Sequence, residues 1–149
     1  MSVPSWMRSE SKALFLWRLY RLNIRIGEIV VNHPTKYRST YGDQLINNAL
    51  TALTHARIGN GIFMHVGTNE ADYQLRRRHL REAKGYTEAI APIAYIYLEL
   101  TAKADGAKKD KILKQEEEIG LECAEISKMI KGVLDNDRKL FIAHHQQQP

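Results

Sequence analysis

Residues 69–103 read NEADYQLRRRHLREAKGYTEAIAPIAYIYLELTAK, and the spacing of their apolar positions decides the fold class. Leu80, Ala83, Thr87, Ile90, Ala94 and Tyr97 recur at intervals of three and four. That puts them on one face of a helix and leaves no strand-like alternation. Asn69 or Thr68 suits the cap, with Glu70 and Asp72 in the positive first turn. Pro92 falls well inside the pattern, where its ring removes an N–H and crowds the carbonyl of Glu88. A kink is expected there, with a break into two helices as the alternative. The N-terminal half carries Arg76, Arg77, Arg78, His79, Arg81 and Lys84. Consecutive arginines spread around a helix and cannot all line one groove, so at least one is expected to be paired or packed along its stem.

Outward from this stretch, breaks at Pro34, at Gly67-Thr68-Asn69 and at Lys103-Ala104-Asp105-Gly106 leave four segments of similar length. The first, from about Ser9 to Asn32, repeats Phe15, Leu19, Leu22, Ile26 and Ile29, with Trp17, Ile24 and Val31 as a flanking stripe. Arg18, Arg21 and Arg25 form a separate line at helical spacing, with Glu28 as the one acidic residue that follows. A solvated face usually alternates sign, which makes this line a candidate anion contact. The second segment, from about Thr40 to Val66, has one stripe of Ile46, Leu50 and Leu53. Its other stripe is of small residues: Leu45, Ala49, Ala52, Ala56 and Gly59. Thr40 or Ser39 is the expected cap. Between Asp43 and Glu70 it holds a single formal charge, Arg57, among neutral Asn47, Asn48, Thr51 and His55. Such a helix is expected either at the centre of the fold or against another subunit, with Asn47, Asn48, Thr51 and His55 as the oligomer contact.

The fourth segment, from about Ala107 to Lys139, carries Ile112, Ile119, Cys123, Ile126, Ile130 and Val133, with Glu116 the one exception on the stripe. Cys123 reads as a small core residue. Lys114 and Glu118 are spaced for pairing on an ordinary surface. Four long amphipathic helices with short connections predict an all-α, antiparallel up-down four-helix bundle over residues 9–140. A flexible leader at 1–8 and a disordered tail at 141–149 flank it. The topology predicts that Arg18 and Arg21, Arg76 to Arg81, and Arg138 with Lys139 lie at similar heights, as a basic belt.

The chain has 149 residues, 44% of them hydrophobic and 26% charged, which suits one folded domain. Its net charge of +5 favours an anionic partner. Residues 1–41 hold seven basic residues against two acidic ones. The single cysteine excludes an internal disulfide and a cysteine-based zinc cluster. No signal-like start and no long apolar run are visible, so a cytoplasmic protein with no membrane contact is expected. No nucleotide-binding glycine motif, nucleophile elbow or metal-binding HExxH is present. The six histidines are dispersed, and no cofactor or metal is expected. Trp17-Arg18, Tyr20-Arg21 and Tyr37-Arg38 set rings beside cations, a pattern that serves base stacking or, more commonly, packing.

Four features in order resemble a known family. His33-Pro-Thr-Lys-Tyr-Arg38 closes the first helix, and Thr40-Tyr-Gly-Asp-Gln-Leu45 opens the second. Arg77-Arg-His-Leu-Arg-Glu-Ala83 lies in the third. Glu118-Ile-Gly-Leu-Glu122 and Met129-Ile-Lys-Gly132 lie in the fourth. Together, over about residues 12 to 139, they resemble the small four-helix-bundle proteins that include the accessory variability determinant (Avd) of diversity-generating retroelements. A related branch is encoded in intervening sequences of 23S ribosomal RNA genes. The resemblance implies a non-catalytic, basic homopentamer that binds a reverse transcriptase and its template RNA and supports mutagenic cDNA synthesis. Arg18, Arg21, Arg25, Arg76, Arg77, Arg78, Arg81 and Lys84 would be its RNA- and DNA-binding residues. The alternative is a structural oligomer whose basic surface docks an acidic protein. Pro92 and the His/Gln-rich C-terminus depart from the family pattern.

Overall fold

A computed structural model describes residues 14–33, 37–65, 67–105 and 109–146. Four helices follow one another: α1 (Leu14–Asn32), α2 (Asp43–Gly61), α3 (Glu70–Asp105) and α4 (Lys109–Gln146). Each packs on its neighbour in the chain, and α4 closes the ring against α1, as in an up-down four-helix bundle. The expected leader at 1–8 lies outside the described residues.

The core is built from the periodic positions. Phe15, Leu19, Leu22, Ile26 and Ile29 of α1 are buried, as is the whole α3 stripe from Leu80 to Tyr97. Burying each large aliphatic or aromatic side chain contributes about 1.5–3 kcal/mol, so one full stripe per helix is the main driving force for the assembly. Thr87 is tolerated in that stripe because its hydroxyl donates to the carbonyl of Ala83 at 2.7 Å. The small residues of α2 set the tightest seam. A Cβ placed on Gly59 would stand 3.0 Å from the Leu80 side chain and 3.3 Å from the Arg76 carbonyl, so the absent side chain lets α2 and α3 close.

Three boundaries bear on the sequence expectation, and two of them differ from it. First, α2 does not begin at a Ser39 or Thr40 cap. A π-helical turn over Arg38–Gly42 leads into it, Gly42 takes the cap position without a side-chain bond, and the helix stops at Gly61. A Cβ on Gly42 would approach Val30 to 3.1 Å, so close packing on α1 decides this entry. Second, α3 runs unbroken through Pro92, which is exposed, in keeping with the single-helix expectation and not with its two-helix alternative. Its N-terminus is capped as expected, the Asp72 N–H donating to Asn69 Oδ1 at 2.9 Å. Third, α4 continues to Gln146, so residues 141–146 are helix and not part of a disordered tail. Phe141 stacks on buried Tyr73, with centroids 4.1 Å apart, and this contact extends the helix past Lys139. No helix is long and apolar enough to cross a membrane among the described residues.

Candidate nucleic-acid interface

Contacts with α4 give the heights of the α1 and α3 arginine lines. Arg25 meets Glu118 and Arg18 meets Glu122, while Glu88 of α3 meets Ser127 and Arg76 meets Asp137. From Glu122 to Asp137 is about 20 Å at the helical rise. The expected belt is therefore not level. The α1 arginines and the α3 arginines lie at different heights, on opposite flanks of α4.

The α1 flank is charge-balanced. Arg18 donates from Nε and Nη2 to the two carboxylate oxygens of Glu122 at 2.8 and 2.9 Å, and Arg25 reaches Glu118 at 3.2 Å. Glu125 stands 3.9 Å from Arg18. A groove of about 740 Å³ between α1 and α4 is lined by Arg18, Arg21 and Arg25 on one wall and Glu118, Glu122 and Glu125 on the other. The sequence identified only Glu28 as a neighbour of this line; the carboxylates that answer it come from another helix. Arg21 is exposed and shares this groove without a carboxylate within ion-pair distance among the described residues.

Arg76 takes the paired role expected of one arginine in the α3 run. It is buried, bonded to Asp137 at 2.6 and 3.3 Å, and it donates from Nη1 to the carbonyls of Gly59 and Ile62. These bonds satisfy the end of α2. A guanidinium so engaged is withdrawn from any phosphate, which removes Arg76 from the expected interface.

Arg77, Arg81 and Lys84 line a second groove, between α3 and α4. Its facing wall is Lys128 and Lys131, with Glu88 and Asp135 as the carboxylates. Gly85 and Gly120 lie along it, and a Cβ on either would meet nothing within 4 Å. Lys84 pairs with Glu88, whose carboxyl is held below its ordinary range by that bond and by the Ser127 hydroxyl, which donates at 2.6 Å. Arg77, Arg81, Lys128 and Lys131 have no carboxylate within ion-pair distance among the described residues. Arg78 is exposed on the other side, next to His79. Lys128 and Lys131 were missed in the sequence. Their spacing of three was legible, but which helix they face was not.

The four residues expected at an oligomer contact do not form one exposed face. Asn47 is exposed, Asn48 and Thr51 are half-buried, and His55 turns to α3. Its Nδ1 lies 2.9 Å from His79 Nδ1, and its ring stacks on Tyr86. Burial and the neighbouring His55 and Arg78 hold His79 below the ordinary imidazole range. The outward stripe of α2 is instead Asn47, Leu50, Thr54 and Ile58.

Cys123 is buried on the core stripe, as expected, and burial pushes its thiol up to about 12, far from a nucleophile's range. No group of three or more His, Cys, Asp or Glu residues among those described is placed to hold a metal ion. No protein-family model, curated protein or solved structure matches the chain.

Proposed function

We propose that this protein is a non-catalytic, nucleic-acid-binding accessory bundle that contacts phosphates through the α3–α4 groove. One observation carries the reading: Arg77 and Arg81 line one stretch of the α3–α4 groove and Lys128 the adjoining one, Lys131 lines both, and among the described residues none of the four has a carboxylate in ion-pair reach. Unpaired arginine and lysine side chains on a shared surface attract a polyanion whatever its base sequence, and release counterions when it binds.

The sequence resemblance to Avd-like proteins extends the proposal. The chain would serve, in the cytoplasm, as the partner of a retroelement reverse transcriptase, holding its template RNA and cDNA during mutagenic copying. A homopentamer would repeat the groove five times and convert weak sites into strong attachment. The outward Asn47, Leu50, Thr54 and Ile58 stripe of α2, with exposed Arg57 as the one charge beside it, favours such self-association.

The test is binding of labelled RNA and DNA strands at several salt concentrations. The slope of log K against log salt should be steep for the native chain. It should lose roughly one unit per phosphate contact removed in Arg77→Gln/Arg81→Gln/Lys131→Gln. Salt-independent or absent binding would overturn the reading. The reverse-transcriptase role is tested separately: cDNA synthesis should fall sharply when the protein is omitted, or when Arg77, Arg78 and Arg81 are neutralised.

A further inference from the structure

Beyond the basic groove, the α3–α4 seam carries three rings in contact. Tyr73 and Phe141 stack with planes within 6°, and His145 lies against Phe141 with centroids 4.0 Å apart and its plane tilted by 58°. Tyr73 is buried, Phe141 half-buried and His145 exposed, so the column climbs from the core to the surface. Its position follows from the helix repeat. Arg77 stands one turn beyond Tyr73 on α3, and Arg138 stands one turn before Phe141 on α4. Along the α3–α4 seam, the cations Lys128, Lys131, Arg81 and Arg77 are therefore followed by these rings, of which His145 is the exposed one. The α2–α3 connection, tied to this end by Arg76, adds Phe63, which is 77% exposed and has its ring on His65.

A backbone-binding groove needs no exposed rings, and a helix end that only needed closing would bury them. Exposed aromatic surface in line with a row of cations suits an unpaired nucleotide, whose phosphate and base present a charge and a flat π-face together. A duplex keeps its bases stacked inside and offers the column nothing. We propose that the groove takes single-stranded nucleic acid, with phosphates along Arg77, Arg81, Lys128 and Lys131 and an unpaired base stacked on the Tyr73–Phe141–His145 column. This rests on the groove reading above and adds the strandedness of the ligand and the site of its base.

Three fluorescent probes of equal length separate the two ideas: a mixed-sequence DNA strand, the same strand with abasic tetrahydrofuran units throughout, and the duplex. Binding to the full-length protein is read by anisotropy. The base-bearing strand should bind about tenfold tighter than the abasic strand. His145→Ala should remove most of that difference while leaving the abasic affinity unchanged, and His145→Phe should retain it. Phe141→Leu should act like His145→Ala; since His145 is exposed and Phe141 packs on Tyr73, the His145 variants decide the matter if Phe141→Leu unfolds. Equal affinity for the base-bearing and abasic strands, or a His145→Ala loss shared by both, would overturn the stacking site. Failure of the groove reading looks different: Arg77→Gln/Arg81→Gln/Lys131→Gln would then bind all three probes as the native chain does.

Discussion

The two grooves flanking α4 are both rich in basic side chains, yet in one they are matched by carboxylates and in the other most are not. Glu118, Glu122 and Glu125 lie on the flank that faces Arg18, Arg21 and Arg25, while Lys128 and Lys131 lie on the flank that faces Arg77, Arg81 and Lys84. Successive charges of α4 thus work as a cross-helix seal on one side and as added positive field on the other. A count of basic residues does not separate these outcomes. What matters is the sign of the side chains on the neighbouring helix.

The largest effect should come from within the arginine run itself. Arg76→Leu leaves Asp137 buried without its partner and removes the donors that hold the end of α2, so a loss of about 3–5 kcal/mol is expected. Arg77→Leu, one residue along, should change stability by no more than about 0.5 kcal/mol. Urea unfolding of the two variants checks this, and similar losses would erase the distinction between structural and open arginines.

Arg77→Gln/Arg81→Gln/Lys131→Gln should lower the salt slope of nucleic-acid binding by about 2–3 units, at about 0.9 per contact. Arg18→Gln/Arg25→Gln should lower it by less than about one unit, since both side chains already hold carboxylates. Equal effects would mean that a polyanion displaces the α4 glutamates.

A gain-of-binding variant sharpens the same point. Glu118→Gln/Glu122→Gln should release the α1 arginines and raise the slope by about 1–2 units. The same exchange should cost about 0.2–1 kcal/mol per part-exposed ion pair. Both numbers come from one preparation, by anisotropy and by urea unfolding.

The mildest probe is pH, which sets the α3–α4 seam against the α2–α3 seam. Burial and the neighbouring Glu99 carboxyl push Glu116 up to about 7 from an ordinary 4.5. The folded chain therefore holds a proton that the unfolded chain releases, and this contribution is full below pH 4.5 and lost as pH rises through about 7. His79 has the opposite sign. Its folded imidazole resists protonation, so its contribution is present above pH 6.5 and lost as pH falls below that value. Thermal melts of Glu116→Gln should lose the decline towards pH 7, and melts of His79→Phe should lose the decline towards low pH. Unchanged profiles would show that neither seam titrates.

Much of the fold was legible because a buried stripe has to repeat with the helix. Leu80, Ala83, Thr87, Ile90, Ala94 and Tyr97 are buried where the periodicity put them, and so is Cys123. Glu116 broke the pattern in the sequence, and it is the residue whose carboxyl the structure perturbs most clearly among the glutamates. Less was legible at the ends. Local signals favoured a Ser39 or Thr40 cap and a free tail after residue 140. Packing of Gly42 on Val30 and of Phe141 on Tyr73 overrode both.

The candidate site was legible as residue types and not as an arrangement. Arg77, Arg81 and Lys84 stood out by their density, but Lys128 and Lys131 did not, because nothing within α4 says which neighbour they face. The sequence alone determined the helices, their order, the core stripes and the excess of positive charge, since each depends on residues within a few turns of one another. Only the tertiary structure decided that Arg76 is buried on Asp137, that Arg18 and Arg25 are matched by α4 glutamates, and that the open cations gather between α3 and α4. Electrostatic pairing falls off within a few ångströms and takes no account of distance along the chain, so the fate of each charge was settled by the rotation and height of α4 against its two neighbours.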